Sequence, residues 1–348
     1  MNGGIVAPHT TVTVANQLST TLTGSANGQI LVGTSGIDMF DVVGHGYNDI
    51  LISGGGADTV KFSGLASDHT FTVDTSVNGV TATVLTVASV ADGSNILSGF
   101  SGDTIMFGAT SYNLVYGDGA TVTGTAADNI LVGGSSANTF TGGAGNDLIY
   151  GGGGIDTAAY SGTFANHTIV LTATGATVAG TGASLSDGTD TLTSIERLTF
   201  AGSAIAAQNN VLIGTTGNDT ILSQTAPQWM IGGAGDDTFV FASTSVLGNT
   251  VAGRDVIADF VHGHDKIDLS GIDANGGQPG TPAFLFDGQV GTTDLTGIHA
   301  RGHVGFHHQN ISGQDHTIVE GTTNTAVDHS FQIDLIGNIL LDSGDFNL

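Results

Sequence analysis

The chain has 348 residues, 56 of them Gly, and sets 31 Asp+Glu against 5 Lys+Arg for a formal charge of −26. That surface repels nucleic-acid phosphates and anionic membranes, and no apolar run reaches the roughly 18 residues of a spanning helix, so nucleic-acid binding and membrane insertion are excluded. The absence of cysteine removes disulfides and thiolate metal sites, while a hydrophobic content of 39% supplies enough apolar material for packed strands.

The opening stretch MNGGIVAPHTTVTV lacks a basic segment followed by an apolar one, so a Sec-type signal peptide is not expected. Residues 1–23 alternate Thr with Val and Leu and read as a leading strand or arm.

From Gly24 a nine-residue frame begins. Its rows are GSANGQILV, GTSGIDMFD, then after two extra residues GHGYNDILI and SGGGADTVK, with Gln29, Asp38, Asp49 and Asp58 at the sixth position. The block recurs over 124–159 as GTAADNILV, GGSSANTFT, GGAGNDLIY and GGGGIDTAA, with Asn129, Asn138, Asp147 and Asp156. A third copy over 205–240 places Asn210, Asp219, Gln228 and Asp237 there.

The best-formed rows begin Gly-Gly-x-Gly-x-Asp. Glycines permit positive-φ turns whose carbonyls converge on a cation, the aspartate adds a hard oxygen ligand, and the next three residues make a short strand. The candidate calcium ligands are Asp38, Asp49, Asp58, Asn129, Asn138, Gly142, Gly145, Asp147, Gly151, Gly154, Asp156, Asp219, Gly232, Gly235 and Asp237. A Gly-x-Asp alone would be ordinary turn chemistry; tandem phase favours ligation. Extracellular calcium modules of this kind have dissociation constants on the order of 0.1–1 mM.

Two nonapeptides make one coil of a parallel roll, so turns on one edge fall 18 residues apart. Asp147 follows Asn129, Asp156 follows Asn138 and Asp237 follows Asp219 at that interval, whereas Asp49 follows Gln29 and Asp58 follows Asp38 by 20. A bulged, weaker or rearranged edge is therefore expected in the first block, and a broken edge at the Gln228 row.

Between the blocks lie matching inserts, FSGLASDHTFTV at 62–73 and YSGTFANHTIVL at 160–171, followed by alternating segments that read as half-buried strands. A short helical turn is expected around SIERLTF. The fold class is all-β: parallel β-roll blocks with β-rich inserts and a β-sandwich-like C-terminal cap. The expected divisions are an arm at 1–23 and modules at 24–110, 111–204 and 205–348.

After the third block, residues 253–275 read D-x-I-x-D-F-x-x-G-x-D-K-I-D-L-S-x-I-D, and the chain closes with FQIDLIGNILLDSGDFNL. With the rolls, this resembles the C-terminal domain of the serralysin family and, more broadly, RTX (repeats-in-toxin) proteins. The resemblance implies a calcium-loaded protein exported by a type I secretion apparatus of a Gram-negative cell on an uncleaved C-terminal signal, and an extracellular or cell-surface location. It also implies that Asp255 caps the last ion. The family's H-E-x-x-H is missing, which excludes zinc peptidase activity, and EGTTNTAVDHSF at 320–331 retains only Asn324 and Asp328 of an acidic loop, so no ion is expected there.

His299, His303 and His307 recur every four residues with no carboxylate among them, and read as a solvated or interface-facing row rather than a transition-metal site. Asp265 and Asp268 read as turn or ion-pair residues beside Lys266. No nucleophile motif is present, so catalysis is not expected, and five cations are too few to receive the polyanions that parallel-solenoid lyases and epimerases use. The leading function is a calcium-dependent structural protein that self-assembles as a surface layer or filament, with calcium and strand edges joining copies. The alternatives are an adhesin or matrix protein that binds cell-surface polysaccharide and, less favoured, a β-helix carbohydrate-active enzyme.

Overall fold

The structure is a computed structural model that describes residues 11–14, 20–25, 27–44, 46–77, 80–119, 121–203, 206–224, 227–275, 283–290, 301–323 and 330–348. The chain forms two compact units, Met1–Ala159 with Val178–Ile195, and Tyr160–Thr177 with Glu196–Leu348. It is all-β, and its rolls are parallel. No helix among the described residues is long and apolar enough to cross a membrane.

Each nonapeptide yields a three- or four-residue strand whose inward residue is apolar. In Met39–Asp41 that residue is Phe40, in Leu148–Tyr150 Ile149 and in Thr238–Val240 Phe239, all essentially inaccessible. Period-two alternation on strands this short allows one large side chain per row, so the core is a stack of single residues. Fully burying each stabilises by about 1.5–3 kcal/mol.

In the first unit, Gln29–Val32, Ile50–Ile52 and Gly93–Ser98 run parallel, Ile30 opposite Ile50 and Ile50 opposite Ile96. Thr11–Val14 lies at one edge of this sheet and the hairpin of Thr70–Val77 with Val80–Ser89 at the other. A second sheet stacks Thr21–Thr23, Met39–Asp41, Thr59–Phe62 and Thr104–Phe107 in parallel. Thr104–Phe107 then turns back antiparallel on Thr110–Tyr116, and the parallel stack resumes with Asn129–Val132, Leu148–Tyr150 and Thr189–Thr193.

In the second unit, Asn210–Ile213, Trp229–Ile231, Asp255–Ile257 and Phe331–Ile336 run parallel, and the sheet continues as an antiparallel meander through Gln314–Thr322 and His303–Ile311. Thr220–Leu222, Thr238–Val240, Lys266–Asp268 and Phe346–Asn347 form its second sheet, and Met230, Phe239, Ile267, Phe306, Leu335 and Phe346 share one core.

The first block departs from expectation. The two extra residues, Val42 and Val43, leave the strands in register, with Met39 opposite Thr59 and Ile30 opposite Ile50, so neither edge is rearranged. SIERLTF is also not helical: it contributes the strand Arg197–Phe200, with Ser194 at φ 52°.

The likeness of the inserts rests on a buried histidine. His69 packs 4.6 Å from Phe107 and 5.5 Å from Phe62 between ring centroids, with Nε2 2.9 Å from Asp92 Oδ2 and Nδ1 3.0 Å from Leu65 O. In the second insert His167 lies 5.0 Å from both Tyr160 and Phe200, with Nδ1 2.9 Å from Thr163 O.

Candidate metal centre

Glycine makes the stacked turns possible. Gly143 has φ 104°, and a Cβ there would fall 2.0 Å from Thr125 O of the preceding coil; Gly152 has φ 94° and would meet Gly134 O at 2.2 Å. No other residue tolerates both the left-handed backbone and the closeness. Gly145, Gly154 and Gly235 also have positive φ. The first glycine of the row makes room for the carboxylate: a Cβ at Gly142 would lie 2.1 Å from Asp147 Oδ2, at Gly232 2.3 Å from Asp237 Oδ2 and at Gly151 2.6 Å from Asp156 Oδ2.

The sixth-position side chains form ladders. Asp147 Oδ1 accepts the Asn129 N–H at 2.8 Å, Asp156 Oδ1 that of Asn138 at 2.7 Å and Asp237 Oδ1 that of Asp219 at 2.9 Å. Across the 20-residue steps the contact is the same, with Asp49 accepting from Gln29 at 2.8 Å and Asp58 from Asp38 at 2.9 Å. Asn129 thus meets Asp147 as a donor, its side-chain amide also giving a hydrogen bond to Asp147 Oδ1 at 2.9 Å. The Gln228 row breaks no edge: Gln228 Oε1 accepts the Gln224 N–H at 2.8 Å, as an aspartate would, and its own N–H reaches Asp255 Oδ1 at 2.9 Å.

The ladders run further than the repeats. Asn95 takes the Asp49 N–H, Asp103 that of Asp58, Asp190 that of Asp147 and Asp265 that of Asp237, at 3.0–3.1 Å. Asp265 is thus a buried rung rather than only a turn residue, and Asp259 receives the N–H groups of Gly232 and Gly233, both at 2.9 Å. A shared signal precedes each of these rungs and was available: a polar residue after Gly or Gly-x, then a short apolar strand, in GSNILS, SGDTIM, GTDTLT, GRDVIA and GHDKID.

Electrostatics calls for a cation. Asp38, Asp49, Asp58, Asp103, Asp147, Asp156, Asp190, Asp237, Asp255 and Asp265 are all buried, whereas Arg254 is the one lysine or arginine buried among the described residues. Oδ2 of Asp58, Asp147 and Asp237 is buried without a hydrogen-bond partner. Burial raises Asp103 and Asp147; burial, with the charges of Asp265, Asp219 and Asp259, pushes Asp237 up to about 6, and burial pushes Asp255 up to about 7. Desolvating each uncompensated carboxylate costs several kcal/mol, on the order of what a bound ion returns.

Among the described residues no three His, Asp or Glu side chains converge on one point. An ion here would take its remaining oxygens from turn carbonyls, which suits a cation that accepts six to eight oxygen ligands. Asp255 has both oxygens engaged, by Gln228 N–H and by Ser223 Oγ at 2.7 Å. The RTX calcium-binding nonapeptide repeat family matches residues 123–158 and 206–223, as four copies. The chain carries RTX calcium-binding repeats.

Calcium is the ion of RTX repeats, and the matched residues hold the rows of Asn129, Asn138, Asp147, Asp156 and Asp219. Similar solved structures include the AlgE6R3 and AlgE6R2 subunits of the Azotobacter vinelandii mannuronan C5-epimerase. These are 18% and 16% identical, span 64% of this chain and 78% and 89% of theirs, and superpose with TM-scores of 0.22 and 0.23. The extracellular lipase LipA of Serratia marcescens is 12% identical over 68% of this chain and 42% of its own, with a TM-score of 0.17. No curated protein matches the chain in sequence.

The histidine row is not uniformly solvated. His307 is buried, 3.8 Å from Glu320, because its strand lies inside the meander, whereas the partly exposed His303 pairs with Asp287 at 2.9 Å. His299, Asn324 and Asp328 lie outside the described residues.

Proposed function

We propose that this RTX protein is a calcium-dependent secreted structural protein that assembles with copies of itself outside the cell, as a surface layer or filament. The sheet edge at Thr11–Val14 carries the reading: among the described residues this strand pairs only with Gln29–Val32, which leaves one ladder of backbone groups for a neighbour. The ions would be held by Asp38, Asp49, Asp58, Asp147, Asp156, Asp219 and Asp237 with the carbonyls of the glycine turns. Their charge offsets the −26 of the chain and lets like-charged copies approach. Type I secretion suits a chain whose carboxylates repel until it reaches a calcium-rich exterior. Electron microscopy of the purified protein with and without calcium tests this. A lattice or fibre that appears with calcium and dissolves with a chelator is expected; dispersed monomers in both conditions overturn the assembly reading.

A further inference from the structure

The outer face of a β-roll is ordinarily solvated, yet in the second unit it carries a buried ionic cluster. Trp229 pairs with Val256, and Val256 with Asp334, so the three form one row across neighbouring parallel strands. Their neighbours Met230, Ile257 and Leu335 face the core on the other side. Arg254 Nη2 and Nε lie 2.9 and 3.1 Å from Asp334 Oδ2, and His316 Nδ1 lies 2.7 Å from Asp334 Oδ1. The Arg254 and Asp334 side chains are 3% and 5% exposed. Beside them is a cavity of about 410 Å³, lined by Trp229, Val251, Arg254, Gln314, His316 and Asp334 among others.

We propose that this cavity binds a neutral hexopyranose unit of a glycan. Its volume lies at the small end of the roughly 300–1,000 Å³ range of small-molecule sites, and apolar walls with a few fixed polar groups are the usual composition of such sites. The Trp229 indole gives an apolar face for the C–H side of a sugar ring. Arg254 donates, Asp334 accepts and the Gln314 amide does both, so hydroxyls of either sense are met. With Nδ1 held by Asp334, His316 keeps Nε2 for a further hydroxyl.

Charge excludes acidic sugars. Asp334 cancels Arg254, and a chain of −26 repels anions. A purely structural pin between strands would account for the ion pair, but not for a cavity walled by the only tryptophan of the chain. This site abuts the Gln228–Asp255 rung but uses none of the carboxylates proposed to hold calcium, and it goes beyond the assembly reading.

Because Trp229 is the sole tryptophan and lines the cavity, its fluorescence is the readout. The calcium-loaded full chain is titrated with the methyl glycosides of glucose, galactose, mannose and N-acetylglucosamine, and with glucuronate. A saturable change with at least one neutral sugar and none with glucuronate is expected, together with saturation transfer to that sugar by NMR. Val251→Trp fills the cavity mouth from a position 66% exposed and should weaken binding, read by NMR, by about tenfold or more while calcium-induced circular dichroism stays unchanged. Gln314→Ala should weaken it less. The proposal is overturned if no neutral sugar gives a saturable response, if glucuronate binds as well, or if Val251→Trp folds and binds undiminished.

Discussion

Asp147 Oδ1 holds the main-chain N–H of Asn129 at 2.8 Å from one coil further along, while Oδ2 of the same carboxylate is buried without a hydrogen-bond partner. One oxygen keeps the coils in register, and the other is the candidate ligand. The two roles separate by mutation. Asp147→Asn retains an acceptor for Asn129 but removes the charge, so the calcium midpoint of folding should rise several-fold. Asp147→Ala loses the acceptor too and should cost a further 1–3 kcal/mol or so. Calcium titrations followed by circular dichroism measure both; equal midpoints for wild type and Asp147→Asn would remove Asp147 from the ligand set.

Gly143→Ala should destabilise far more than Gly263→Ala. Both glycines have positive φ, but a Cβ at Gly143 would meet Thr125 O at 2.0 Å, whereas one at Gly263 meets open space. The second change carries only the backbone term, about 1–2 kcal/mol. Thermal unfolding in saturating calcium ranks the two.

Arg254 and Asp334 are a buried pair, so losing one partner strands the other. Asp334→Ala should cost about 3–5 kcal/mol, and Arg254→Met with Asp334→Leu together should cost less than Asp334→Ala alone. Denaturant unfolding of the three proteins tests the ordering.

Asp92 supplies a pH dependence. Burial pushes its carboxyl up, but hydrogen bonds from Gly44 N–H, His69 and Ser63 outweigh burial and hold it below its ordinary 3.8. A folded-state value below the unfolded one contributes stability above about pH 4, and that stability is lost as pH falls through the lowered value. The stability gap between wild type and Asp92→Asn should therefore be constant above about pH 4 and shrink in stronger acid. A gap that widens with acid would contradict the assignment.

The rows that were legible in the sequence are those in phase. GGAGNDLIY and GGGGIDTAA announce turn, ligand and strand by position alone, and the 18-residue interval foretells that Asn129 meets Asp147. The rungs at Asn95, Asp103 and Asp190 carry a local signal but fall out of phase, because a hairpin or a looped segment separates each from the row it caps, and loop length is invisible to a fixed period. Gln228 looked like a break because its glycines are gone, yet an amide oxygen accepts from Gln224 N–H as a carboxylate does. The cluster of Arg254, His316 and Asp334 had no local signal, since Arg254 sits just before the strand Asp255–Ile257 and reaches an aspartate 80 residues further on.

In each rung of these ladders, a sixth-position oxygen serves an N–H that precedes it in the chain: Asp38 serves Thr20, Asp58 serves Asp38, Asp103 serves Asp58. The fifth-position side chains run the other way, for Asp128 Oδ1 accepts the Asn146 N–H and Asn218 Oδ1 that of Asp236, each one coil later in the chain. A folding front that advances in either direction therefore brings each new row onto an acceptor already in place, like a tooth onto a waiting rack. A roll built this way can grow from whichever end forms first.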